Sequence, residues 1–201
     1  MKIILIGLLT IVWLYLLSVL KRGQLYFWRF IVGSMGAFLI LMISLQDKLA
    51  EPLARGVAAL AGIVGTITGG YSAYFKYGII FITSHSESMT LMVDYECSGI
   101  VEIIAFLSLL LFFDVYSRYE KIMVALIGIV YLMLANALRI TIICFSVHFF
   151  GISAYYVVHS FVGRIIFYVL SVLLYFYVFT KPQVIHMKVG NFSYGNSGKN
   201  H

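Results

Sequence analysis

The chain has 201 residues, of which 62% are hydrophobic and only 11% charged, where a soluble globular domain carries roughly a quarter charged residues. That composition excludes a soluble enzyme and predicts an integral membrane protein. The net charge of +6 is accounted for by topology and by juxtamembrane contact with anionic lipid, so no nucleic-acid partner is required.

In chain order, the first apolar run spans Ile3 to Leu20. It follows a single Lys2, lacks a small-x-small cleavage site and ends in Lys21-Arg22. These features predict a retained transmembrane helix rather than a signal peptide. A second span is expected from about Phe30 to Leu45. The long segment Asp47 to Glu96 follows, read as an outer-face insert over 47–96. Pro52 can occupy the first turn of an amphipathic helix running to about Thr68, because Leu53, Val57, Leu60, Ala61 and Val64 recur at helical spacing. Such a helix would lie on the outer leaflet and end at Gly69-Gly70. Tyr74–Ile82 and Met89–Tyr95, rich in aromatic and β-favouring residues and separated by the polar Thr83–Ser88, predict a β-hairpin. Its second strand delivers the chain directly to Glu96-Cys97, which fixes the direction of approach.

Further spans are expected from Ser98 to Phe113, Ile122 to Leu138 and Tyr155 to Phe179. The apolar stretch from Lys121 to Gly151 contains Asn136 and Arg139 and reads as a spanning half followed by a re-entrant or interfacial half. The expected fold is therefore an all-α polytopic membrane protein of five, at most six, transmembrane helices, with an outer-face helix and a hairpin ahead of Cys97. Residues 1–185 form one membrane domain and 186–201 a cytoplasmic tail, whose Gly-, Ser- and Asn-rich end reads as disordered. Lys21, Arg22 and Arg29, then Arg118 and Lys121, then Lys181, Lys188 and Lys199 fall on one side of alternating spans, which the positive-inside rule makes the cytoplasm. Asp47, Glu51, Glu87, Asp94 and Glu96 gather opposite.

The chemistry centres on Cys97, placed where a polar segment meets the start of an apolar run. The positive end of a helix there would stabilise a thiolate. Intramembrane ionisable residues are few: Glu102, Arg139, His148, His159 and Arg164. Topology puts Cys97, Arg139 and His159 at the outer edge of their helices. A thiol, a histidine to manage the proton and a guanidinium to stabilise an oxyanion are what acyl transfer by cysteine needs. Each also has a plainer reading. Cys97 can be a small packing residue, Arg139 can snorkel or pair with Glu102, and His159 can be a hydrogen-bonded core residue. Cys97 and Cys144 form no expected disulfide, and Cys144 with His148 at i, i+4 is too few ligands for a metal.

Three blocks then carry a resemblance: Glu96-Cys97-Ser98-Gly99-Ile100, Asn136-Ala137-Leu138-Arg139-Ile140 and His159-Ser160-Phe161-Val162-Gly163. In order and rough spacing they resemble the signature blocks of the exosortase and archaeosortase family of membrane transpeptidases, closest to the short Gram-positive branch often called XrtG, over about residues 50 to 180. The resemblance implies a cysteine protease/transpeptidase facing outward from the cell membrane. Cys97 would be its nucleophile, His159 its general acid/base and Arg139 its oxyanion stabiliser. Asn136 would support them by a hydrogen bond, with Glu96, Ser98 and Gly99 flanking the thiol. It also implies partner proteins whose C-terminal sorting signal is a short motif, a transmembrane helix and a basic tail, cut through a thioacyl intermediate that passes to an amine or to water. No metal or cofactor is called for. The chain has fewer spans than larger members, and Arg164, five residues beyond His159, is expected to pair with Glu102 instead of joining the site. The rival reading is a small transporter or export-complex subunit in which Glu102, Arg139 and Arg164 form a polar cluster; a lipid-modifying enzyme lacks the metal cluster or acid pair that it would need.

Overall fold

Every apolar run folds as a helix. The computed structural model describes residues 2–84, 87–93 and 97–184. Its helices are α1 (Lys2–Arg22), α2 (Tyr26–Thr68), α3 (Ile100–Phe112), α4 (Arg118–Phe150) and α5 (Ala154–Val184). Between α2 and α3 lie strands β1 (Tyr71–Tyr74), β2 (Ile79–Ser84) and β3 (Glu87–Met92). The protein is thus mostly helical but not all-α. Among the described residues three helices, α2, α4 and α5, are long and apolar enough to cross a membrane, and α3 is a shorter apolar helix.

Two expected breaks do not form. Pro52 lies inside α2, which runs unbroken for 43 residues, so the amphipathic segment after it continues the second helix and is no separate element. Proline deprives the carbonyl four residues back of its donor. That carbonyl belongs to the exposed Lys48, where solvent can take the bond. Likewise α4 carries straight on past Arg139 to Phe150, and no re-entrant half exists. At 1.5 Å per residue α2 is about 65 Å long and α4 about 50 Å, against about 30 Å of bilayer hydrocarbon. Their C-terminal halves therefore have length to spare beyond the apolar slab.

Those overhanging halves carry the sheet. Ala54, Val57, Ala58 and Ala61 of α2 line one face at helical spacing and are buried with Tyr71, Ile80, Ile82 and Leu91 of the sheet and Ile140, Ile143, Cys144 and Val147 of α4. The sheet order is β1-β2-β3, antiparallel throughout. The expected hairpin is present as β2–β3, with Ser84 paired to Glu87 across the turn. Its first strand is shorter than Tyr74–Ile82, because Phe75–Tyr77 form a 3-10 turn closed by Gly78 at φ 63°. That turn lets the preceding Tyr71–Tyr74 pair with β2 as β1, the strand the sequence did not suggest.

A second buried cluster, Ile103, Phe106, Leu110, Leu132 and Leu174, joins α3, α4 and α5 further along the bundle. At that end Arg29 pairs with Asp114 (2.7 Å), Lys121 donates to the Leu111 carbonyl (3.0 Å) and Tyr116 donates to the Val178 carbonyl (2.8 Å). The basic connections thereby share one end of the molecule and the sheet occupies the other. The C-terminal tail and Glu96 lie outside the described residues.

Candidate active site

Cys97, Asn136 and Arg139 meet at the seam between the two buried clusters. On α4, Leu132 belongs to the helical cluster and Ala137 and Ile140 to the sheet cluster, so the intervening Asn136 is buried where the two join and Arg139 one turn on. The Asn136 amide donates to the Cys97 carbonyl, which fixes the backbone that bears the thiol. Arg139 Nη2 lies 4.0 Å from Cys97 Sγ. With Arg139 only 6% exposed, little water screens its charge from the sulfur. Its guanidinium also sits 6.0 Å from the centre of the Phe167 ring, a cation–π contact from α5.

Cys97 does not lie in the first turn of α3. The helix starts at Ile100 with Gly99 as its N-cap at φ 76°, two residues beyond the thiol. The nearby positive charge is therefore Arg139, and one of the helix's first N–H groups, that of Ile100, is already directed to Ser98 Oγ (3.4 Å). Ser98 itself is fully buried. Gly99 serves two ends: its left-handed backbone favours glycine, and a Cβ there would stand 3.3 Å from Asn136 Nδ2.

His159 is brought to this region by α5. It is half-buried and lies in a π-helical stretch, Val158–Val162. Such widened turns recur at functional sites because they re-aim one side chain. Tyr155 stacks on its ring (centroids 5.1 Å apart) and packs against the cluster that holds Cys97. One turn on, Gly163 lets α5 close on α4, since a Cβ there would meet Arg139 Cγ at 3.2 Å. Tyr155, Gly163 and Phe167 were not singled out from the sequence as supports. Their signal was present as the i, i+4, i+8, i+12 spacing of Tyr155, His159, Gly163 and Phe167.

Two expectations about charge fail. Arg164 is exposed and makes no ion pair among the described residues. Glu102, in the first turn of α3, is instead close enough to Arg139 to attract it electrostatically without a direct ion pair. A three-membered Glu102, Arg139 and Arg164 cluster is thus not formed. Cys144 is fully buried, neither cysteine is in a disulfide, and no three metal-ligating residues converge among the described residues. His148 serves the fold, its Nδ1 donating to the Thr83 carbonyl (2.7 Å).

No curated protein and no solved structure is detectably similar to the chain. The profile of one family, the transmembrane exosortases of the EpsH type, matches residues 2–176 and so takes in all three sequence blocks. By that match, which covers most of its length, the chain belongs to the transmembrane exosortase family.

Proposed function

We propose that the protein is a membrane cysteine protease/transpeptidase of the short Gram-positive exosortase type, with five or six spans and its thiol on the outer side of the cell membrane. The observation that carries the reading is the Arg139 guanidinium 4.0 Å from Cys97 Sγ, with Asn136 holding the Cys97 carbonyl. A cation so placed favours negative charge on the sulfur before attack, and on the carbonyl oxygen during it. In the first half-reaction His159 takes the thiol proton as Sγ bonds to the scissile carbonyl carbon, and it passes that proton to the departing amine as the C–N bond breaks. In the second, His159 takes a proton from an incoming amine or water, which attacks the thioester and restores the thiol. The substrates are proteins ending in a short motif, a transmembrane helix and a basic tail. Anionic lipid meets the basic end.

The test is made in cells. Intact-protein mass spectrometry of membrane proteins identifies chains whose C-terminal segment is removed when the wild-type enzyme is present and retained with Cys97→Ala. Arg139→Ala and His159→Ala should retain it too, at unchanged enzyme levels. Unchanged processing of every such chain by Cys97→Ala ends the reading.

A further inference from the structure

The two edges of the sheet are treated differently. At the β1 edge Tyr71 donates to the Ala61 carbonyl (2.6 Å), and its ring and carbonyl lie against Gly65, so α2 covers that side. Where β1 ends, His148 takes up the Thr83 carbonyl that projects past it. The β3 edge has no such cover: among described elements β3 packs substantially against β2 alone.

Pairing fixes which backbone groups of β3 are open. Val93 N–H donates to the Gly78 carbonyl (2.8 Å), and Leu91 and Met89 stand opposite Ile80 and Ile82. In an antiparallel ladder alternate residues turn their N–H and C=O to the same neighbour. Residues 89, 91 and 93 therefore face β2, while Ser88, Thr90 and Met92 direct theirs to the open edge. No backbone hydrogen bond is made to that edge among the described residues. Proteins usually blunt such an edge with charge, proline or a bulge. Ser88, Thr90 and Met92 supply none of these.

We infer that the open edge of β3 is the docking strand for the substrate, whose extended backbone beside the scissile bond adds to the sheet as a fourth strand. Continuity with the thiol favours this occupant. Met92 is five residues from Cys97, at most about 17 Å of chain, so a peptide paired along β3 runs on toward the thiol. Backbone pairing supplies affinity without regard to side chains and holds the chain extended, the form in which a peptide bond is open to attack. The inference rests on the proposed transpeptidase activity and adds the mode of substrate binding.

The experiment uses the full chain in membranes, with a probe protein defined as one whose C-terminal processing stops with Cys97→Ala. With p-benzoylphenylalanine in place of Thr90, seven residues from Cys97, in the Cys97→Ala chain, illumination should join that position to the probe protein within about seven residues of its cleavage site. Adducts only with lipid or with a second copy of the chain, or none, overturn the inference. Thr90→Pro removes an edge N–H that β2 does not use and so leaves the β2–β3 ladder whole. It should slow processing of the probe about tenfold, the worth of one or two hydrogen bonds, whereas Thr90→Val should process at the wild-type rate. Processing at the wild-type rate by Thr90→Pro, with none by Cys97→Ala, overturns the docking strand and leaves the activity standing. Processing that persists with Cys97→Ala removes the activity itself.

Discussion

Arg139 is a buried cation whose surroundings suit a guanidinium and no other group. Its guanidinium carbon lies over the Phe167 ring, 6.0 Å from the centroid, while Nη2 reaches to 4.0 Å from the thiol. Lysine keeps the charge but has neither the plane to stack nor the second nitrogen to reach across. Arg139→Lys should therefore lower the single-turnover cleavage rate by at least about a hundredfold, the usual cost of losing an oxyanion donor, while the protein still accumulates in the membrane; a rate near wild type would show that the charge alone suffices. Gly99 tests the same site from the backbone. Alanine there must adopt φ 76°, at a cost of about 1–2 kcal/mol, and push on Asn136. Gly99→Ala should lower the thermal midpoint in detergent and slow cleavage, and an unchanged midpoint would refute the strain argument. Residues of this kind were legible because each block is local in sequence and its side-chain types are rare inside a membrane. The supposed Arg164–Glu102 pair was not legible, since which way a helix turns its faces depends on what packs against it. Here the Gly163–Arg139 approach turns Arg164 outward.

Elements were legible by type and not by extent. Apolar period marked all five helices, but a proline and an arginine looked like boundaries when each was absorbed into a longer helix. Proline ends a helix only if the carbonyl it orphans finds nothing else, and Lys48 is exposed. Strand β1 was missed because its four residues make sense only once Gly78 has turned the chain back. Its anchor is Tyr71, whose hydroxyl donates to Ala61 on α2 and lies 3.4 Å from Thr141 Oγ1 on α4. Tyr71→Phe should cost about 1 kcal/mol in chemical unfolding. Burial pushes this phenol above the ordinary tyrosine range. Below pH of about 10 folded and unfolded chains both hold the proton. Above it the unfolded chain gives the proton up first, so the folded state binds more protons and stability falls as pH rises. Wild type should lose stability between pH about 10 and the raised value by more than Tyr71→Phe does; parallel pH profiles of the two would remove Tyr71 as the cause.

At the scale of the molecule the basic end and the sheet end are set by contacts that no composition reveals. Arg29–Asp114, Lys121–Leu111 and Tyr116–Val178 tie the starts of α2 and α4 and the ends of α3 and α5 into one end. Lys and Arg cluster there, and under the proposed orientation, which follows the positive-inside rule, that end faces the cytoplasm. From Arg118 to Arg139 along α4 is about 32 Å, close to the thickness of the hydrocarbon core. With Arg118 at one boundary, Arg139 stands at the other, level with the thiol it faces. In the proposed orientation the sheet, carried on the overhanging halves of α2 and α4, would stand on the outer side, with Tyr77 exposed upon it. A single cysteine in place of Tyr77 should react with a sulfonated maleimide in intact cells, and one in place of Tyr119, exposed at the basic end, should react only after the cells are opened. Cys97 and Cys144 are both buried and should give little background. The reverse pattern would turn the molecule over and put the thiol on the cytoplasmic side, out of reach of exported proteins.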